Sequence, residues 1–111
     1  MAGLRLEKIN ELLQHKISAL LTKGVSFKLG VFVTVARVST SPDLRRSKVL
    51  VSVFPASEGQ YVLKTLKKEV YAFQGALNNQ LHMNPLPRIH FELDTTEEEA
   101  QKVEDILRDL R

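Results

Sequence analysis

Along the first quarter of the chain, Leu6, Ile9, Leu13, Ile17 and Leu20 recur at three- and four-residue steps, with Leu12 and Leu21 widening the stripe. That spacing is the period of an amphipathic helix, and it predicts one over residues 3–22, stopped by Gly24. Lys8, Glu11, His15 and Ser18 take the remaining surface. The pattern then changes. "GVFVTVARVS" (30–39) is rich in β-branched residues and looks partly apolar on both faces, which predicts a strand over 31–39 in a central or well-covered position. A second strand over 46–54 alternates Val49, Val51 and Val53 against Lys48, Leu50 and Ser52. Between the two, Ser41-Pro42-Asp43 has turn chemistry: Pro42 presets φ, and the side chains of Ser41 and Asp43 can bond nearby backbone amides. An antiparallel hairpin follows.

Ser57-Glu58-Gly59-Gln60 has the spacing of a capping box, and a long helical pattern runs over 58–82. Leu63, Leu66, Val70, Phe73, Leu77 and Leu81 form its stripe, while Lys64, Lys67, Lys68, Tyr71 and Asn78 face away. Small residues near the middle, Ala72, Gly75 and Ala76, predict a kink or a close backbone approach there. Pro85 and Pro87 end the segment, and "PRIHFELD" alternates Ile89, Phe91 and Leu93 inward against Arg88, His90 and Glu92 outward. Thr95 with Glu98, or Thr96 with Glu99, caps a last helix. Its stripe is Ala100, Val103, Ile106 or Leu107, and Leu110, with Val103, Ile106 and Leu110 docking it on the body. The expected order is α-β-β-α-(kink)-α-β-α, a two-layer α+β sandwich with helices on one face of a three-stranded sheet.

At 111 residues the chain reads as a single domain over 1–111, with 95–111 a short acidic C-terminal helix. Its hydrophobic content of 43% suits a globular core rather than disorder. There are no cysteines, which excludes disulfides and thiolate metal sites. No apolar run approaches the roughly 20 residues that span a bilayer, and "MAGLRLEKINELL" lacks the apolar stretch of a signal peptide; a cytoplasmic protein is expected.

The net charge of +3 hides an asymmetry. Residues 1–95 hold 13 Lys and Arg against seven acids, whereas 96–111 carry a net −3. A basic body points to a polyanionic partner, with simple solubility charge as the alternative. Catalysis finds little support. His15, His82 and His90 lie on different elements without ligand-like spacing, so no metal site is expected. There is no phosphate-binding glycine loop and no dinucleotide fingerprint. Ser41 and Ser47 have no identifiable base, and Asp43 is accounted for by the turn. The expectation is a protein that is not an enzyme and needs no cofactor.

The basic residues say more. Arg45 and Arg46 stand where the hairpin returns, Lys48 follows them, and Lys64, Lys67 and Lys68 cluster on one helix face. Aimed at phosphates, they would bind nucleic acid with a salt-dependent affinity. Aromatic residues are few, and only Tyr71 lies near the basic helix face, so backbone or shape recognition of folded RNA is the expected mode.

Arg5-x-x-Lys8-Ile9, Leu29-Gly30 leading into "VFVTVARV", and above all "SPDLRRSKVLVSVF" (41–54) carry a resemblance. With them the whole arrangement resembles a type II KH-like domain, and in detail the ribosome-binding factor A family. Leu66, Phe73, Leu77, Leu81 and Pro87 before "RIHFELD" continue the resemblance, so that it covers about residues 4–94. The family's Ala-x-Gly kink falls on Val70 and Ala72, the arginine that follows on Gly75, and a commonly basic position before the final strand on Asn84, which centres the expected kink nearer Gly75. The resemblance implies a non-catalytic factor, monomeric, that binds the free small ribosomal subunit through 16S rRNA and serves its late maturation and rRNA processing. Together with the charge reading above, RNA binding is expected at Arg45, Arg46, Lys48, Lys64, Lys67 and Lys68, and the helix kink at Ala72 and Gly75. The competing expectation is a small α+β interaction module that dimerises through an exposed face, with outward-facing Leu50 as its footing.

Overall fold

Periodicity becomes packing along the first helix, α1 (Ala2–Gly24), where Ile9, Leu13, Ile17 and Leu21 stand at four-residue steps and are all buried. Leu20 is half-buried and Leu12 is exposed, so the stripe is narrower than the sequence suggests. The computed structural model describes residues 2–83 and 86–110; Asn84 and Pro85, and the side chains of residues 2 and 97–101, lie outside the described residues. The strands are β1 (Phe32–Thr40), β2 (Arg46–Phe54) and β3 (Arg88–Leu93). A short 3-10 turn (Ala56–Glu58) leads into α2 (Gly59–Gln80), and α3 (Thr96–Asp109) follows β3.

The sheet order is β1-β2-β3, with β1 antiparallel and β3 parallel to β2. Thus β2 is the central strand and β1 lies at an edge, contrary to the position expected from its apolar content. The reason is a register shift between Val35 and Arg37. Val33 and Val35 precede it and Val38 and Thr40 follow it, on alternate parities of the sequence but on the same inner face. A strict alternation counts them as two apolar faces; the bulge makes them one.

Helix α1 packs on β1 and α2 on β3, both against the inner face that carries Val49, Val51, Ile89 and Phe91. The Phe73 and Phe91 rings meet edge-to-face at 5.4 Å between centroids. As expected for core positions, Phe73, Leu77, Val51 and Phe91 are all buried. The described elements thus form the expected two-layer α+β sandwich, with a three-stranded sheet and helices α1 and α2 on one face.

Gln74 adds a polar clamp that the sequence did not signal. Its amide donates to the Pro87 carbonyl at 3.1 Å and its carbonyl accepts the Ile89 N–H at 3.0 Å. A side chain from α2 therefore satisfies the free edge of β3 where no further strand can. Gly59 begins α2 against Leu93, where a Cβ would meet Leu93 Cδ1 at 3.0 Å. The helix starts on a glycine because β3 ends there.

Three expectations need correction. First, α2 is assigned as one continuous helix from Gly59 to Gln80, where the expected element order divided the segment at a kink. A Cβ on Gly75 would find nothing within 4 Å, so no close backbone approach requires it. One glycine inside a long stripe costs about 1 kcal/mol, less than Phe73 and Leu77 gain by staying in register on either side. Second, the 3-10 turn replaces the capping box, and Glu58 rather than Ser57 precedes α2 without a side-chain cap. Third, α3 forms but does not dock: Val103, Ile106 and Leu110 are 56%, 60% and 77% exposed. The inner sheet face is already filled by α1 and α2. The start of α3 is held instead by Asp94, which accepts the Thr96 N–H at 3.1 Å and its hydroxyl at 2.6 Å.

Candidate functional site

The hairpin tip is built by a closed set of short bonds. The Ser41 N–H donates to the Arg46 carbonyl at 2.8 Å, and the Arg46 N–H returns to Ser41 Oγ at 3.1 Å. Asp43 accepts the Ser41 hydroxyl at 2.6 Å and the Arg45 N–H at 3.0 Å. Within this frame Leu44 takes φ +62°, a left-handed conformation that a branched side chain rarely adopts. Below the tip, the buried hydroxyls of Thr40 and Ser47 pair at 2.7 Å across the first rung. Ser41, Ser47 and Asp43 are thus committed to the turn, and none is presented as a nucleophile. The hydrogen bond from Ser41, then that from the Arg45 amide, and the nearby Arg45 and Arg46 charges hold the Asp43 carboxyl below its ordinary value.

This answers why a proline turn and two arginines interrupt the valines. The turn fixes where β2 begins, and strand alternation then decides which side each cation faces. Ser47, Val49 and Val51 point into the core, so Arg46 and Lys48 stand on the opposite, outer face of the sheet. Arg45 lies exposed at the tip. Lys48 Nζ approaches Glu92 at 3.4 Å, and His90 Nε2 approaches the same carboxylate at 3.7 Å.

The three lysines occupy a different surface. On α2, Val62, Leu66, Phe73 and Leu77 face the sheet, and Lys64, Lys67 and Lys68 emerge on the solvent side with Tyr71, which is 89% exposed. They border one shallow depression with Gln60 and Leu63. The beginning of α2 is steadied by the loop after α1. Lys28 pairs with Glu58 at 2.8 Å, its ammonium lies 4.7 Å from the Tyr61 ring centre, and its N–H donates to the Tyr61 hydroxyl at 3.0 Å. The six cations singled out in the sequence therefore divide into two groups, Arg45, Arg46 and Lys48 at the hairpin and outer sheet, and Lys64, Lys67 and Lys68 across the helical layer.

The outer sheet face also holds residues that sequence reasoning did not assign to a site. Arg88 sits opposite Arg46 in the β2–β3 register, and Arg37 opposite Leu50 in the β1–β2 register. At the far end Phe32 and Phe54 are direct cross-strand partners, 66% and 69% exposed. The alternation of β2 implied an outward Phe54; only the pairing register reveals that Phe32 lies beside it. His15 and His82 are exposed elsewhere. Among the described residues no three His, Cys, Asp or Glu side chains gather as metal ligands, and no helix is long and apolar enough to cross a membrane.

Comparison with known proteins places this geometry. The family model described as ribosome-binding factor A matches residues 5–107. Ribosome-binding factor A of Thermomicrobium roseum is 32% identical over 112 residues, covering 100% of this chain and 87% of the relative. The protein of the same name from Bdellovibrio bacteriovorus is 33% identical, covering 97% and 81%. Among solved structures, the crystal structure of ribosome-binding factor A from Thermus thermophilus superposes with a TM-score of 0.69 at 24% identity, over 79% of this chain and 93% of that one. A homology model of the Thermus thermophilus factor, as fitted into the cryo-EM map of a 30S complex with that factor, gives 0.65 at 24% identity, over 78% and 91%. At this identity the structural likeness concerns the fold.

Proposed function

The chain belongs to the ribosome-binding factor A family, and we propose on that basis that it is an assembly factor of the small ribosomal subunit. In this reading it binds the free subunit through 16S rRNA and supports late maturation and rRNA processing. It acts in the cytoplasm as a monomer, as a binding protein without catalytic activity or a cofactor. The observation that carries the reading is the family match over residues 5–107, almost the whole chain. The fit of a relative of like fold into a 30S complex supports the small subunit as partner.

The geometry adds why RNA suits this molecule. Arg45, Arg46, Lys64, Lys67 and Lys68 stand on surfaces that packing does not use and make no ion pair with a described residue, so they are available to phosphates, while exposed Lys48 is shared with Glu92. Arg45, Arg46 and Lys48 form one contact group and Lys64, Lys67 and Lys68 the other, and each phosphate neutralised releases counterions. The acidic α3 segment, at −3 over 96–111, is unsuited to a phosphate surface and takes no part.

The test is affinity for purified immature small subunits at two salt concentrations. Replacing Lys64, Lys67 and Lys68 with Gln weakens binding and lowers the salt slope by roughly 0.7–0.9 for each phosphate no longer neutralised. Arg45→Gln with Arg46→Gln does the same at the hairpin. Thermal unfolding stays within about 0.5 kcal/mol of the parent in both variants. Unchanged affinity and slope in both would return these cations to a solvated surface. The competing reading, a module dimerising through an exposed face, draws on half-buried Leu50, which lies on the same outer sheet face as Phe32 and Phe54. It requires a stable dimer absent from ribosomal fractions, which sedimentation of cell extract detects.

A further inference from the structure

We propose that the outer face of the sheet is a platform for single-stranded RNA, on which Phe32 and Phe54 stack bases while Arg37, Arg46 and Arg88 hold phosphates. The proposal rests on the RNA-binding reading above and names a surface and a mode of recognition that the reading does not contain.

Four observations carry it. Both core helices pack on the inner face, so the outer face of all three strands has no covering element among the described residues. On that face two phenylalanines are cross-strand partners and keep about two-thirds of their surface in solvent, 66% and 69%. Two large rings left exposed together contribute little to the core, and side by side they offer flat apolar surface to another planar group. The rungs beside them, Thr34 opposite Ser52, are small and polar and leave the rings accessible from above.

The charges complete the surface. Arg46 faces Arg88 across β2 and β3, and Lys48 faces His90 on the same side of the sheet. The two arginines are like charges directly opposite in the sheet, which opposes folding, and an anion between them removes that penalty. Glu92 is the one acid at an outward position of the three strands, and it draws in Lys48 and His90. Arg37, Arg46 and Arg88 make no salt bridge with a described residue, although Arg37 lies near enough to Asp94 to favour its ionised form. From Phe54 to Arg46 the central strand spans on the order of 26 Å, enough for several nucleotides with bases at one end and phosphates along the rest.

A duplex cannot use the aromatic end, because its bases are already stacked on one another. Only unpaired bases can be splayed onto the rings. The face therefore selects a single-stranded segment, whereas its arginines alone would accept any polyanion.

The experiment titrates the full chain with a labelled short oligouridine and with an RNA duplex of equal length, alongside co-sedimentation with immature small subunits. The parent binds the single strand more tightly than the duplex. Phe32→Ala and Phe54→Ala each weaken single-strand binding roughly 5- to 150-fold and leave the salt slope unchanged. Arg46→Gln with Arg88→Gln lowers the slope by about 0.7 for each phosphate that loses its cation. Unfolding midpoints of all variants are read in parallel, and the exposure of these residues predicts little change. Single-strand affinity unaltered in the double phenylalanine variant overturns the proposal, as does equal affinity for the duplex. So does a dimer of the parent that the phenylalanine variants dissolve, since the rings then serve a second copy of the chain. Loss of subunit co-sedimentation by the parent itself would instead overturn the assembly reading, and the oligonucleotide titration still decides the role of the sheet face.

Discussion

In α2 the residues Val62, Leu66 and Leu77 are fully buried and Phe73 nearly so, whereas Val103, Ile106 and Leu107 of α3, with Leu110 just past its end, keep 54–77% of their surface in solvent. Both helices have regular apolar stripes, and the sequence alone gives no reason to separate them. What separates them is supply of surface. A three-stranded sheet has one inner face, and α1 and α2 cover it from β1 to β3. The third helix begins three residues after Leu93, when that face is already taken, and none of its described apolar side chains joins the core. Periodicity therefore states that a helix has a side to bury; the number of helices set against the area of the sheet decides whether it is buried. The two helices also differ in charge. The solvent side of α2 carries a lysine cluster, while α3 is acidic in a chain that is otherwise basic.

The largest expected difference lies in apolar truncation. Leu77→Ala and Phe91→Ala remove buried atoms from a filled site and should cost about 2–5 and 3–5 kcal/mol respectively, a large share of the 5–15 kcal/mol typical of a domain. Ile106→Ala should stay within about 0.5 kcal/mol, because the side chain is already in water. Chemical denaturation of the three variants makes the comparison directly. If Ile106→Ala costs as much as Leu77→Ala, α3 is docked and the contrast fails.

A smaller effect tests whether α2 is held by apolar contact alone. Gln74→Leu keeps the volume but strips the Ile89 N–H and the Pro87 carbonyl of their partner. Leaving such part-buried groups unpaired should cost about 1–3 kcal/mol. Hydrogen exchange at the Ile89 amide should quicken in the same variant. Unchanged stability and unchanged exchange would show that water replaces the glutamine without loss.

The boundary between what was legible and what was not follows the same physical line. Repeating local patterns, namely the α1 stripe, the β2 alternation, "RIHFELD" and the Ser41–Asp43 turn, yielded the elements and the buried set Val51, Phe73, Leu77 and Phe91. What eluded pattern was set by long-range geometry. The bulge after Val35 folds two apparent apolar faces of β1 into one, and β1 becomes an edge because α2 brings β3 to the other side of β2. Of the candidate site, the sequence supplied the cations but not their division between two surfaces. That division depends on the strand register at Arg46 and on which side of α2 meets the sheet. Phe32 and Phe54 were invisible as a pair, since residues 22 positions apart become neighbours only once the hairpin register is known. At Gly75 the stripe on both sides outweighs the local signal of small residues, and the helix continues through it.

Glycines sharpen the contrast at a lower energy. Gly75→Ala should raise stability by about 0.5–1 kcal/mol, because a Cβ there meets no atom within 4 Å and an alanine suits a helix interior better. Gly59→Ala, sixteen residues earlier in the same helix, should gain less or lose, because Leu93 Cδ1 stands 3.0 Å from the new carbon and has to give way by a few tenths of an ångström. Thermal unfolding of the pair reads the difference. A destabilised Gly75→Ala would mean that the helix needs freedom at that point, and would support the bend expected from Ala72 and Gly75.

The smallest effect is in acid, and it separates the entry to α3 from the hairpin tip. Asp94 is held below its ordinary value first by the Thr96 hydroxyl, then by the Thr96 amide, with Arg37 adding to the same direction. Asp43 is lowered in the same direction by Ser41 and the Arg45 amide. A carboxyl whose pKa is lower in the folded chain binds protons more readily when unfolded, so its contribution is complete above the ordinary value of 3.8 and fades as pH falls through the folded value. Both groups are at the surface, so the loss is small and sits on the acid limb alone, with no effect near neutrality. Because Asp94 organises only the first turn of an undocked helix, its protonation should loosen Thr96 while Phe91 and Val51 stay protected. Protonation of Asp43 should instead disturb Arg45 and Arg46, which bear on the hairpin's basic surface through the start of β2. Amide shifts of Thr96 and Arg45 followed through an acid titration, in the parent and in Asp94→Asn and Asp43→Asn, resolve the two. Each midpoint should lie below 3.8 in the parent and vanish only in the variant that lacks that carboxyl. A midpoint at or above the ordinary value would show that the hydrogen bonds at that turn do not form.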